Sequence, residues 1–177
     1  MNIHYHEHAR VLDLRQRLKE YAESIALGFD RWKEDRISGP GLYIAIIVGP
    51  SFDSYADAMG ANRWPEDAPR DIFADPDGFF EALEATAYTM DGALVVSVDG
   101  IAMSQMVRFR DVDSTVKLQY ADWMGSRHMS ALDVSTREDA VATITLSAES
   151  GRVTIFEDGH YESIERSHLG EPYRIPE

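Results

Sequence analysis

The most constraining segment of this chain is Leu42 to Val48, Leu-Tyr-Ile-Ala-Ile-Ile-Val, an unbroken apolar run rich in β-branched residues. Its purely aliphatic part, Ile44 to Val48, is far too short to cross a bilayer, which takes about 20 residues. A continuous rather than alternating pattern fits a strand buried on both faces, so its sheet must carry a layer on each side. With 177 residues, 44% of them apolar, the chain has material for one such layered domain and no more.

Other segments supply the layers. Val11, Leu14, Leu18, Tyr21, Ile25, Phe29 and Trp32 recur at steps of three and four, which predicts an amphipathic helix over 9–35. Gly39-Pro40-Gly41 is expected to stop it. Residues 49–76, punctuated by Pro50, Pro65, Pro69 and Pro76, read as loop with at most a short helix around Tyr55 to Met59. Asp77 is placed to cap a helix from Gly78 to Tyr88 that buries Phe79, Phe80, Leu83 and Ala87. Strands are expected at 93–98 and 101–109 around an Asp99-Gly100 turn. A short helix follows at 126–132, then strands at 140–146, 152–156 and 160–164. The resulting expectation is an α/β single domain, a mixed twisted sheet flanked by helices and preceded by an N-terminal amphipathic helix.

Charge narrows the partners. Seventeen basic against thirty-one acidic residues give a net charge of −14, and only Lys19, Lys33 and Lys117 are lysines. Duplex nucleic acid needs a basic surface, so no nucleic-acid partner is expected. The acidic residues are dispersed, and the aspartate-rich, lysine-poor composition resembles that of proteins from salt-loaded cytoplasm, as in haloarchaea. No cysteine occurs, which removes disulfides, thiolate metal sites and a cysteine nucleophile. The first ten residues lack an apolar core, so neither a signal peptide nor a membrane partner is expected and the location is read as cytoplasmic.

Three segments carry chemistry. In Asp91-Gly92-Ala93, at a strand entry, glycine lets a ligand approach the backbone beside a carboxylate. Gly125-Ser126-Arg127-His128 opens a helix with a hydroxyl, a guanidinium and an imidazole, a setting suited to phosphate. Ser147-Ala148-Glu149-Ser150-Gly151 reads alone as a hairpin turn. Each has an ordinary structural explanation; their order and spacing do not.

Together the three resemble the diadenylate cyclase (DisA-N) family, which pairs a D-G-A motif with a G-T-R-H-R motif about 30 residues on and then an S-E-E-T-G turn. The counterparts here are DGA at 91–93, GSRHMSA at 125–131 and SAESG at 147–151. The resemblance covers about residues 88–165 and implies an N-terminal extension at 1–38, a cyclase-like domain at 39–166 and a polar tail at 167–177. It also implies condensation of two ATP into cyclic di-AMP and two pyrophosphates, with Mg²⁺ or Mn²⁺. Asp91, Arg127 and His128 would then be catalytic. ATP would be held by Gly92, Ala93, Arg108, Ser126, Arg127 and His128, and the metal by Asp91 and Glu149. Since one domain holds one ATP, the family's reaction implies a homo-oligomer containing at least a face-to-face dimer.

One departure matters: Met129 stands where the family has a second arginine. Losing a preorganised phosphate contact costs about 2–4 kcal/mol in a transition state, so the alternative is a catalytically weak nucleotide-binding sensor. Arg108 or Arg110 are the candidates to compensate. His4, His6 and His8 are read as a solvated terminus rather than a metal site.

Overall fold

We describe a computed structural model of the chain, covering residues 5–62, 64–89, 91–110 and 117–169. The elements run α1 (Ala9–Gly28), β1 (Leu42–Ile47), β2 (Ala56–Ala58), α2 (Pro76–Ala87), β3 (Ala93–Ser97), β4 (Ala102–Phe109), α3 (Ser126–Ser135), β5 (Ala140–Leu146), β6 (Val153–Glu157) and β7 (His160–Ile164). Seven strands form one mixed sheet in the order β2-β4-β3-β1-β5-β6-β7, with β1 and β3 parallel and the other neighbours antiparallel.

The apolar run lies near the middle of that sheet. Every β1 residue is buried, and the strand's two-residue period divides its side chains between two cores. Leu42, Ile44 and Ile46 join Leu14, Leu18 and Ile25 of α1 and Phe79 and Leu83 of α2. Tyr43, Ala45 and Ile47 join Ala131, Leu132 and Val134 of α3. The sheet thus has α1 and α2 on one face and α3 on the other.

Local boundaries differ from the sequence reading at three places. The first helix ends at Gly28, not at residue 35, because Phe29 is extended and the chain turns back on itself. Trp32 then donates its indole N–H to Ala26 O at 3.1 Å and meets Phe29 edge-on. Aromatic packing thereby continued the apolar period past the real helix end. The segment around Tyr55 to Met59 is the short strand β2, paired with β4 from Ala56 opposite Phe109 to Ala58 opposite Val107, and not a helix. The cap of α2 is Asp75, whose carboxylate accepts from Gly78 N–H at 3.0 Å, while Asp77 lies in the first turn. At the N-terminus, His8 caps α1; His4 and the His6 side chain lie outside the described residues, as does 170–177 of the polar tail.

Candidate functional site

One end of the sheet gathers the chemistry-bearing segments, for topological reasons. Parallel β1 and β3 start at the same end, with Ile44 opposite Leu94, so Gly41 and the Asp91-Gly92 turn each precede their strand at that end. Antiparallel β5 finishes there too, with Leu146 opposite Leu42, which delivers the 147–151 turn to β1's other side. The strap between Trp32 and β1 is bonded to the end of α2 and to the 147–151 turn: Gly41 N–H donates to Ala87 O and Gly39 N–H to Ala148 O, each at 2.9 Å.

The α3 helix brings the basic groups to this end. It is fixed to the sheet by the Thr143 hydroxyl, which donates to Ala131 O at 2.7 Å, and by the Tyr43 and Ser130 hydroxyls, 3.0 Å apart. Its N-cap, Gly125, donates its N–H to His128 Nδ1 at 3.2 Å. An imidazole that accepts at Nδ1 carries its proton on Nε2. That Nε2 is buried and has no hydrogen-bond partner among the described residues. Burial, then the charges of Arg152 and Arg127, holds the imidazolium below the ordinary histidine range, with Glu149 pulling the other way. His128 Nε2 is thus a donor without an acceptor among the described residues.

Arg127 is half-buried and makes no hydrogen bond or ion pair to a described residue. A Cβ placed on Gly41 would come within 3.0 Å of Arg127 Nη1 and of the Ala148 Cβ, so the guanidinium end lies close over bare strand backbone. Beside β3, Gly92 has φ +82°, and a Cβ there would meet Val107 O at 3.0 Å and Met106 C at 3.1 Å. A side chain has neither the backbone angle nor the room. Ala93 is fully buried opposite Val107, and Ser126 is exposed at the start of α3.

Asp91 and Glu149 are exposed, and neither carboxylate has a hydrogen-bond or ion-pair partner among the described residues. Among those residues, no three His, Asp or Glu side chains are grouped to hold an ion by themselves. That donor set fits Mg²⁺ or Mn²⁺ brought in with phosphate oxygens, since such ions commonly take one or two carboxylates plus substrate phosphates.

Residues 77–161 match the DAC family model. Its description reads DisA bacterial checkpoint controller nucleotide-binding, and the match spans just under half of the chain. All three motifs fall inside it, so it supports a diadenylate cyclase-type, nucleotide-binding domain. No curated protein matches the chain. Among solved structures, a hypothetical membrane spanning protein from Bacillus cereus superposes with a TM-score of 0.57 at 18% identity, over 85% of this chain and 63% of that one. The chain therefore spans less than two thirds of that relative, and at this identity the likeness is one of fold. A DacA double mutant from Staphylococcus aureus gives a TM-score of 0.49 at 19% identity, covering 90% of this chain and 92% of that one. Among the described residues, no helix is long and apolar enough to cross a membrane.

The second and third motifs thus meet at Gly41, where Arg127 Nη1 and the Ala148 Cβ lie against the same backbone, with Arg108 set apart. It follows Val107 on β4 and is exposed on the face away from Val107 and Phe109, opposite Asp57 of β2. Arg110 is engaged elsewhere, bonded to Asp57 Oδ1 at 2.7 Å and to Asp53 O at 2.8 Å. Sequence reasoning passed over Gly41, Trp123 and Arg152. Trp123 meets His128 edge-on with ring centroids 5.1 Å apart, and the Arg152 guanidinium lies 4.5 Å from the centre of the Trp123 ring. Only the glycine pair before the core strand left a visible signal. A cleft of about 690 Å³ opens at the opposite end of α3, lined by Arg15, Arg137, Glu157, His160 and Tyr161 among others, and contains none of the motif residues.

Proposed function

We propose that the chain is a diadenylate cyclase that joins two ATP molecules into cyclic di-AMP with release of two pyrophosphates. The observation that carries the reading is Arg127: a half-buried guanidinium with no anionic partner among the described residues, in the first turn of α3 and close to Gly41, against which the Ala148 turn that carries Glu149 also packs. An unpaired, partly desolvated cation next to free helix N–H groups is a phosphate seat.

In this reading each ribose 3′-oxygen forms a bond to the other ATP's α-phosphorus as the bond to the departing pyrophosphate breaks. Such transfers depend mainly on positioning and charge stabilisation. Asp91 orients the 3′-hydroxyl and takes its proton. Arg127 and Ser126 hold the triphosphate, and His128 offers Nε2–H to a phosphate oxygen. Ligand entry must uncover that atom, because none of its surface now meets water. Gly92 and Ala93 let the nucleotide lie against β3, with Arg108 alongside. A Mg²⁺ or Mn²⁺ ion arriving with the triphosphate, held by Asp91 and Glu149, would neutralise charge on the phosphates. The second ATP comes from a second copy of the chain, face to face. The dispersed acidic surface is read as suiting a salt-loaded cytoplasm.

Met129 favours a second reading. It is 39% exposed in the first turn of α3, where the family motif has a cationic donor. A nucleotide binder that cyclises slowly or not at all would tolerate it. Incubating the protein with ATP and Mn²⁺ in molar KCl beside Asp91→Asn, with products read by mass spectrometry, separates the two. Cyclic di-AMP from the parent alone supports the cyclase; no product, with an ATP-dependent thermal shift, supports the binder.

A further inference from the structure

We infer that Gly41 is a positioning residue for Arg127, its missing side chain setting where the guanidinium lies; the inference rests on the nucleotide reading above for its consequence, not for its geometry. The Gly41 backbone does not itself require glycine, since its φ is not in the left-handed region, unlike that of Gly92. What requires glycine is space. A Cβ at position 41 would lie 3.0 Å from Arg127 Nη1, 3.0 Å from the Ala148 Cβ and 3.6 Å from Ala148 N. The two close neighbours differ in kind. Arg127 Nη1 is the end of a long side chain and yields by moving; the Ala148 Cβ is fixed to a turn that Gly39 N–H already holds through Ala148 O.

Gly41 N–H also donates to Ala87 O at the end of α2, which holds the glycine in place from the other side. The bare Cα therefore lets the cation sit close to the turn that carries Glu149. A Cβ there makes the guanidinium end give by a few tenths of an ångström, and since misplacement by about 1 Å can cost up to 10²-fold in rate, this smaller shift predicts a loss of about tenfold.

The test uses the full chain with three substitutions: Gly41→Ala, Ala148→Gly and Arg127→Ala. Ala148→Gly removes the fixed neighbour, so the pair Gly41→Ala/Ala148→Gly leaves only the clash with Arg127. The expected result is a melting temperature close to the parent's, because the entropy that alanine at 41 removes from the unfolded chain is restored by glycine at 148, together with about tenfold weaker ATP binding. In an Arg127→Ala background, Gly41→Ala should then weaken ATP no further. Recovery of parental affinity in the Gly41→Ala/Ala148→Gly pair overturns the inference, because the turn and not the guanidinium would have been at fault. A purely structural role predicts that stability and affinity fall together, and that outcome also overturns it. Should the parent bind no ATP, the nucleotide reading fails by itself. The positioning claim is then read from the Arg127 Nε–Hε resonance without ligand, which must shift in the paired variant and overturns the claim if it does not.

Discussion

Gly125 donates its backbone N–H to Nδ1 of His128 at 3.2 Å, and this one bond fixes which nitrogen of the ring carries the proton. Protonating Nδ1 would turn an acceptor into a second donor facing a donor. Burial and the neighbouring Arg152 and Arg127 charges act in the same direction, holding the folded-state pKa below the ordinary 6.5.

The pH dependence follows. The unfolded chain takes up the His128 proton at a higher pH than the folded chain, so the contribution is fully present above about pH 6.5. It drains away as the pH falls from there through the depressed folded value. Melting temperatures between about pH 5.5 and 7.5 should drop more steeply on the acid side for the parent than for His128→Gln. Parallel curves would sink this account.

Asp91→Asn should leave the melting temperature nearly unchanged, within about 0.5 kcal/mol of stability, because the exposed carboxylate has no described partner to lose. Cyclic di-AMP production should fall by about 10²-fold or more if this carboxylate takes the hydroxyl proton. Full activity in the variant would remove Asp91 from the mechanism.

Arg127→Ala removes a guanidinium that pairs with no described side chain, so its cost should appear in binding rather than folding. Charge-assisted hydrogen bonds contribute about 1.5–3 kcal/mol each, which predicts ATP binding weaker by about 10- to 100-fold in calorimetry. An unchanged dissociation constant would mean that the phosphates are held elsewhere.

Met129→Arg restores a cation at an exposed position in the first turn of α3, where folding imposes little penalty. If the parent is slow for want of that contact, initial rates with ATP should rise by about tenfold or more. No change, in a parent already active, would show that the remaining groups suffice.

A net charge of −14 on 177 residues should make stability salt-dependent. Raising KCl from about 0.1 to 2 M screens self-repulsion and should raise the melting temperature. A flat or falling profile would count against a salt-loaded origin.

The sequence by itself determined what depends on neighbours along the chain. The unbroken apolar run made β1 a strand covered on both faces, and the observed bounds of β5 and β7 coincide with those read from apolar pattern and turn residues. Three motifs in order also picked out segments that lie toward one end of the sheet, two of which meet at Gly41. Contacts between distant segments were a tertiary matter. Trp32 folding onto Ala26, not helix propensity, ended the order read into the first helix, and pairing with β4 made Ala56–Ala58 a strand. Likewise, the closeness of Arg127 to Gly41, the Trp123 ring against His128 and the diversion of Arg110 to Asp57 join residues separated by scores of positions or by irregular chain. Local pattern encodes which face of an element is apolar. Which polar groups end up paired, and which are left with a donor or a charge to offer, is decided only when the sheet order brings strand ends together.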